Sequence, residues 1–177
     1  SNILLAEPEL EQKHKEIVEI IRKSAEIQLR YVNDLIDIIK LESRELTLKK
    51  EDHSIKTVIE ESLQFLLPLA LNKDIQVKTN ISTDEKISID YPKIIQVLNN
   101  LISNAIKFTP KGGSIEVIST KNNNFIEIHV IDTGIGIPEE KLQSIFCRIK
   151  QFSASGTEGE KGTGLGLATA YGIVKMH

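Results

Sequence analysis

Asn100, Asn104 and Lys107 stand four and three residues apart within VLNNLISNAIKF, the spacing that brings side chains to one face of a helix. Val97, Leu98, Leu101, Ile102 and Ala105 take the opposite side. Two amides and an ammonium on one face can hold a hydrated cation and phosphate oxygens. An amide carbonyl is a hard oxygen ligand for Mg²⁺, which keeps several waters and draws its other ligands from phosphate. Lys107 adds a point positive charge. A merely solvated polar face is the plainer account of Lys107, but it explains asparagine less well, because asparagine is a poor helix former in mid-helix.

A second constellation is FIEIHVIDTGIGIP, Phe125 to Pro138. Ile126, Ile128 and Val130 alternate with Glu127, His129 and Ile131, the period of a strand. Asp132 falls where that strand ends, a hydrogen-bond acceptor at the rim of a pocket. Gly134 and Gly136 free the backbone for positive φ and close approach to a ligand, and Pro138 suits the first turn of a following helix. Alone, D-x-G-x-G is also an ordinary strand-to-helix turn. The third constellation is GTGLGL, with Gly162, Thr163, Gly164, Leu165, Gly166 and Leu167 opening the last helix. Its free backbone N–H groups and helix dipole favour phosphate. It lacks the Lys-Ser/Thr ending of a P-loop. The polar run Ser153 to Lys161 before it has two glycines and no apolar anchor, as expected of a mobile flap over a ligand or of a disordered loop.

The histidines add little. His53, His129 and His177 have no second ligand or acid at the spacing of a metal site or triad. His14 lies on a helix and suits an exposed surface position better than a phosphoryl acceptor. The single Cys147 excludes a disulfide framework and a multi-cysteine metal site, so a reducing, cytoplasmic setting is expected. With 40% hydrophobic and 27% charged residues, a net charge of -3 and no basic stripe, the chain reads as a globular protein without a nucleic-acid surface. No apolar run approaches the ~18 residues of a membrane span.

These residues need elements to hold them. Pro8 to Glu45 contains no further glycine or proline, and Ile17, Ile20, Ile21, Ala25, Tyr31, Val32, Leu35, Ile36 and Ile39 recur at helical spacing. That long helix expects a partner for its apolar stripe, in its own domain, elsewhere in the chain or in another chain. The period changes across Leu46 to Ser54, which begins a second unit with a strand. Ile55 to Leu71 reads as a helix, Ile75 to Ile81 and Lys86 to Ile89 as strands, and Pro92 to Phe108 as a helix. Gly113 to Thr120 and Phe125 to Ile131 form a hairpin, and Pro138 to Phe146 and Leu165 to Met176 are helices. This order predicts an α+β sandwich, helices on one face of a mixed sheet.

In sequence order LNNLISNAIKFTPKGG, DTGIGIP, IF and GTGLGLA closely resemble the ATP-binding kinase domain of bacterial sensor histidine kinases, within the Bergerat (GHKL) ATPase family. KSAEIQLRYVNDLIDIIKLESRELTLKKED resembles the second helix of that family's dimerisation and phosphoacceptor hairpin. The resemblance implies a two-layer α/β sandwich with a mixed, largely antiparallel sheet, preceded by one long helix. It divides the chain into residues 1–47, the end of the hairpin, and 48–177, the ATP-binding domain. By resemblance Asp132 is similar to the acceptor of the adenine amino group, Asn104 to the magnesium ligand, and Asn100 and Lys107 to positions near phosphates and ribose. Phe108 matches a residue lining the adenine pocket, as do Gly134 and Gly136, with Ile137 beside them. Gly162 to Leu167 match the phosphate-side hinge of the lid. ATP and Mg²⁺ are the implied substrate and cofactor. A response-regulator receiver domain and a second copy, joined through the N-terminal helix, are the implied partners.

Three departures follow. Ile145 and Phe146 fit the start of the phenylalanine box, but Ile149 stands where its second aromatic is expected. The acceptor setting His-Glu-x-Arg-x-Pro is absent, since His14 precedes KEIVE, so the acceptor helix is expected before Ser1. The family's closing strands are likewise expected after His177. The sequence therefore predicts nucleotide binding without self-phosphorylation. A non-catalytic, nucleotide-responsive module is the alternative, separable by an acceptor histidine upstream.

Overall fold

The computed structural model describes residues 12–43, 45–82, 84–123, 125–142, 144–146, 156–160 and 164–177. Helix α1 (Gln12–Glu42) precedes β1 (Glu51–Ser54), α2 (Ile55–Asn72), β2 (Gln76–Ile81), β3 (Lys86–Ile89) and α3 (Tyr91–Phe108). Then come β4 (Ser114–Asn122), β5 (Phe125–Asp132), α4 (Glu139–Leu142) and α5 (Gly166–Met176). Capping side chains start the two central helices. Ser54 Oγ accepts from Thr57 N at 3.3 Å, and Asp90 Oδ1 accepts from Lys93 N at 3.2 Å, satisfying donors that have no partner within the helix. Asp90 Oδ2 also accepts from Lys49 N at 2.9 Å, tying the segment after α1 to the start of α3.

The helices pack on a mixed sheet, as the sequence predicts, and among the described residues the strands group into two sheets. In one, β1 pairs antiparallel with β3, Glu51 opposite Ile89. In the other, β2 runs parallel to β4 and β4 antiparallel to β5, with Gln76 opposite Ser114 and Ile115 opposite Asp132. The pairing is mixed and mostly antiparallel, as expected. The break arises at β3, a short strand that runs straight into the α3 cap at Asp90 and pairs with β1, beside that cap, rather than with β2.

The core lies between the three-stranded sheet and helices α2 and α3. Ile55, Val58, Ile59 and Leu63 of α2 meet Leu98, Ile102, Ala105 and Ile106 of α3 and Ile115 and Val117 of β4. Ile126, Ile128 and Val130 of β5 pack against them, confirming the inward face of that strand. Each fully buried isoleucine here contributes about 1.5–3 kcal/mol. On its other flank α3 buries Val97 and Leu101 against Ala170 and Ile173 of α5. Helix α3 is thus covered on two sides, and what remains is a strip.

Among the described residues, α1 docks on the rest through its C-terminal part. Ile38, Asp34 and Asp37 are buried, and Asp37 accepts from Lys93 Nζ and Gln96 Nε2, each at 2.7 Å. Ile20, Ile21, Leu29, Val32 and Leu35 of the stripe are exposed. Helix α4 is a correction. It covers Glu139–Leu142 instead of Pro138 to Phe146, and residues 144–146 form a turn. Its single turn carries Glu139, Glu140 and Lys141 and buries no residue. Among the described residues, no helix is long and apolar enough to cross a membrane.

Candidate functional site

Helix α3 is the spine of the site. Asn100, Asn104, Lys107 and Phe108 are all half-buried on it, in the strip left between its two packed flanks. Near the middle of the spine, Asn100 Nδ2 donates to Gly166 O at 3.2 Å. A Cβ on Gly166 would stand 3.2 Å from Cγ and Oδ1 of Asn100, so a small residue is needed where α5 begins. Gly164 takes φ 72°, a left-handed turn open to glycine at little cost. The N-cap residue of α5 is Leu165, whose apolar side chain makes no capping bond, and a helix N-terminus of this kind favours an anion.

At the C-terminal end of the spine, the turn after β5 is strapped to α3. Ile135 N donates to Phe108 O at 3.1 Å, and Thr133 N donates to Ser114 O at 3.1 Å. Ser114 N donates in return to Thr133 Oγ1 at 2.9 Å. Asp132 Oδ1 accepts from Gly134 N at 2.8 Å, which orients the exposed carboxylate and leaves its second oxygen for an incoming donor. Gly134 has no room for a side chain: a Cβ there would lie 2.5 Å from Asp132 Oδ1 and 2.7 Å from Phe108 O. Ile135 and Ile137 are exposed beside it, an apolar rim.

Lys107 Nζ sits 4.6 Å from the centroid of the Phe108 ring, within reach of a cation–π contact. Burial lowers the pKa of Lys107 from the ordinary lysine value, and the charge of Glu160 draws it part of the way back. Among the described residues no group of three or more His, Cys, Asp or Glu could hold a metal. The donor on the strip is an amide oxygen, which fits a hard, water-rich cation that takes its other ligands from phosphate and not a softer ion that seeks nitrogen or sulfur.

The structure thus places Asn100, Asn104, Lys107 and Phe108 on α3, with the turn of Asp132, Gly134, Gly136 and Ile137 bonded to its end at Phe108 O and Gly166, in the run Gly164, Leu165, Gly166 and Leu167, bonded to its middle at Asn100. Gly162, Thr163 and Ile149 lie outside the described residues. Phe146 packs on Tyr171 of α5 with ring centroids 5.3 Å apart, and His14 is exposed on α1. Sequence reasoning missed Lys73, Thr157 and Glu160. The described part of the polar run, 156–160, does have an anchor, and it is polar: Thr157 N donates to Lys107 O at 3.1 Å. Nothing in the spacing marks Lys73 and Glu160 as a pair.

Residues 89–177 match the family described as histidine kinase-, DNA gyrase B- and HSP90-like ATPase. The non-motile and phage-resistance protein of Caulobacter vibrioides is 33% identical over 171 residues, covering 94% of this chain and 20% of that protein. The autoinducer 2 sensor kinase/phosphatase LuxQ of Vibrio vulnificus is 32% identical over 166 residues, covering 90% of this chain and 19% of that one. The chain therefore spans about a fifth of the length of these curated relatives. Among solved structures, full-length ShkA in complex with AMPPNP superposes with a TM-score of 0.77 at 25% identity, over 97% of this chain and 36% of ShkA.

Proposed function

The chain belongs to the histidine kinase-, DNA gyrase B- and HSP90-like ATPase family, and on that premise we propose that it is the ATP-binding catalytic core of a two-component sensor histidine kinase. Residues 48–177 form the nucleotide-binding unit, and residues 1–47 form the end of a dimerising helical hairpin. One observation carries this proposal: a single helical strip holds Asn100, Asn104, Lys107 and Phe108, met at its end by the Asp132 turn and at its middle by the glycine turn before α5. The relatives' names and the nucleotide analogue in ShkA support it.

In this reading the free oxygen of Asp132 accepts the adenine amino group, and Phe108 and Ile137 flank the ring. Lys107 and the N–H groups at the start of α5 take the phosphates. Asn104 holds Mg²⁺ through its amide oxygen, and the ion when bound neutralises phosphate charge. Delivery of the γ-phosphoryl group is then mostly positioning and charge compensation by these residues. The acceptor is a histidine imidazole on a dimerisation helix, and a receiver-domain aspartate is the next acceptor. The exposed stripe of α1 fits a second copy, in a cytoplasmic setting.

The test is incubation with γ-labelled ATP and Mg²⁺, with and without a chain carrying an acceptor-helix histidine. The expected result is acid-labile, base-stable label on the acceptor chain and none on this one. Label on His14 would contradict it. Nucleotide binding without transfer to any acceptor would leave a nucleotide-responsive interaction module instead.

A further inference from the structure

Lys73, the residue after α2, is only 4% exposed. Its Nζ donates to the carbonyls of Ile106 and Lys107, each at 3.1 Å, and to Glu160 Oε1 at 3.0 Å. A buried ammonium is tolerated only with such a set of acceptors, a carboxylate among them. Glu160 Oε2 accepts from Glu158 N at 2.8 Å. Burial pushes the Glu160 carboxyl up, but the N–H bonds from its own backbone and Glu158 and the bond and charge of Lys73 outweigh it, leaving the group below the ordinary carboxylate value.

The segment that carries Glu160 is closed on itself. Gly156 N donates to Glu160 O at 2.9 Å and Gly159 N to Gly156 O at 3.1 Å. Thr157 docks it on the end of α3, with N donating to Lys107 O at 3.1 Å and Oγ1 donating to Lys107 O at 3.3 Å and Thr109 O at 3.2 Å. The carbonyl of Lys107 is therefore gripped twice, by Lys73 and by Thr157, and Glu160 joins the two grips. These contacts come from residues remote in sequence, and they converge on the backbone of the one ammonium on the strip.

We infer that Lys73 and Glu160 are positioning residues for Lys107. Their ion pair clasps segment 156–160 to the end of α3 and fixes the backbone from which the Lys107 ammonium meets the phosphates of a nucleotide. This rests on the nucleotide reading above. The pair acts through Lys107 and, among the described residues, makes no bond to the Asp132 turn, so it governs affinity for the phosphate end of the ligand more than for the adenine end.

The experiment compares ADP with Mg²⁺ and adenosine, by calorimetry, on the natural chain and on Glu160→Gln and Thr157→Val. These two variants keep side-chain size and leave buried Lys73 in place, whereas Lys73→Met risks the fold. Glu160→Gln is expected to weaken ADP by roughly 10-fold through misplacement of Lys107, to leave adenosine unchanged, and to speed hydrogen exchange at the Thr157 amide. Thr157→Val follows in the same direction with a smaller loss. Unchanged ADP affinity, or equal losses for ADP and adenosine, would overturn the inference and leave a merely structural ion pair. A natural chain that bound neither compound would overturn the nucleotide reading as well. One that bound both, and was matched on ADP by Glu160→Gln, would overturn this inference alone.

Discussion

The two glycine turns that meet α3 are built to different tolerances. The turn after Asp132 is fastened to its surroundings by bonds to Phe108 O and Ser114 O and by the Asp132 side chain, and Gly134 has no space for even one more carbon. Among the described residues the turn before α5 meets the spine through the bond from Asn100 to Gly166 at 3.2 Å, and Gly164 in it takes a left-handed φ of 72°. A planar base is discriminated by a donor and acceptor held in fixed register, which calls for the first design. A polyphosphate is held by several N–H groups and a cation, and a less constrained turn can serve it. Along one helix, then, a closely packed turn meets the C-terminal end and a glycine turn meets the middle.

The strongest way to break this contrast is Gly134→Ala. A methyl group within 2.5 Å of Asp132 Oδ1 and 2.7 Å of Phe108 O forces the turn off α3, at an overpacking cost of about 1–3 kcal/mol. ADP affinity is expected to fall by roughly 100-fold or more, because a displacement near 1 Å is enough for that, and adenosine is expected to fall with it. Melting curves and calorimetry on one preparation check both. Equal ADP binding by the variant and the natural chain would show that the turn is not a rigid recognition element.

Asn100→Ala probes the glycine turn at the middle of α3 and is expected to do less. It removes one neutral hydrogen bond, worth about 1 kcal/mol or roughly 5-fold in affinity, and the loss is expected for ADP and not for adenosine. A loss shared by both ligands would dissolve the distinction between the two turns. The smallest effect near neutrality is titration of Lys107. Its pKa lies below the ordinary lysine value of 10.5 because burial disfavours the ammonium. Phosphate binding needs the protonated form, so the advantage of ADP over adenosine stays flat through neutral pH and declines as pH rises toward that lowered value. A calorimetric pH series with Lys107→Arg as control, where the decline is expected to vanish, sharpens the assignment.

Much of this architecture is legible in the residues themselves, for physical reasons. The face of α3 follows from the 3.6-residue period and from asparagines in mid-helix, where they have little reason to be unless they bind something. The inward side of β5 follows from alternation that one buried face imposes. Lys73 and Glu160 were not legible. Each sits in a polar stretch that reads as solvated, and only the tertiary fold brings them together. Asp34 and Asp37 behaved likewise: a stripe drawn through the isoleucines of α1 leaves them outside, yet the docked end buries them, with Asp37 held by Lys93 and Gln96. Alternation identifies a strand but not its neighbour, so the grouping of the strands into two sheets is set by tertiary pairing.

The central claim is that the Asp132 turn reads adenine, and competition between ATP and GTP tests it most directly. A carboxylate accepts a hydrogen bond from the adenine amino group, whereas the guanine carbonyl at that place meets it with repulsion. Calorimetry is expected to show ATP bound in preference to GTP by the natural chain. Asp132→Asn is expected to weaken ADP by roughly 10- to 150-fold, the loss of a charge-assisted bond of about 1.5–3 kcal/mol, with an unchanged melting curve. Equal affinity for ATP and GTP in the natural chain, or ADP held as tightly by a folded Asp132→Asn variant, would contradict it.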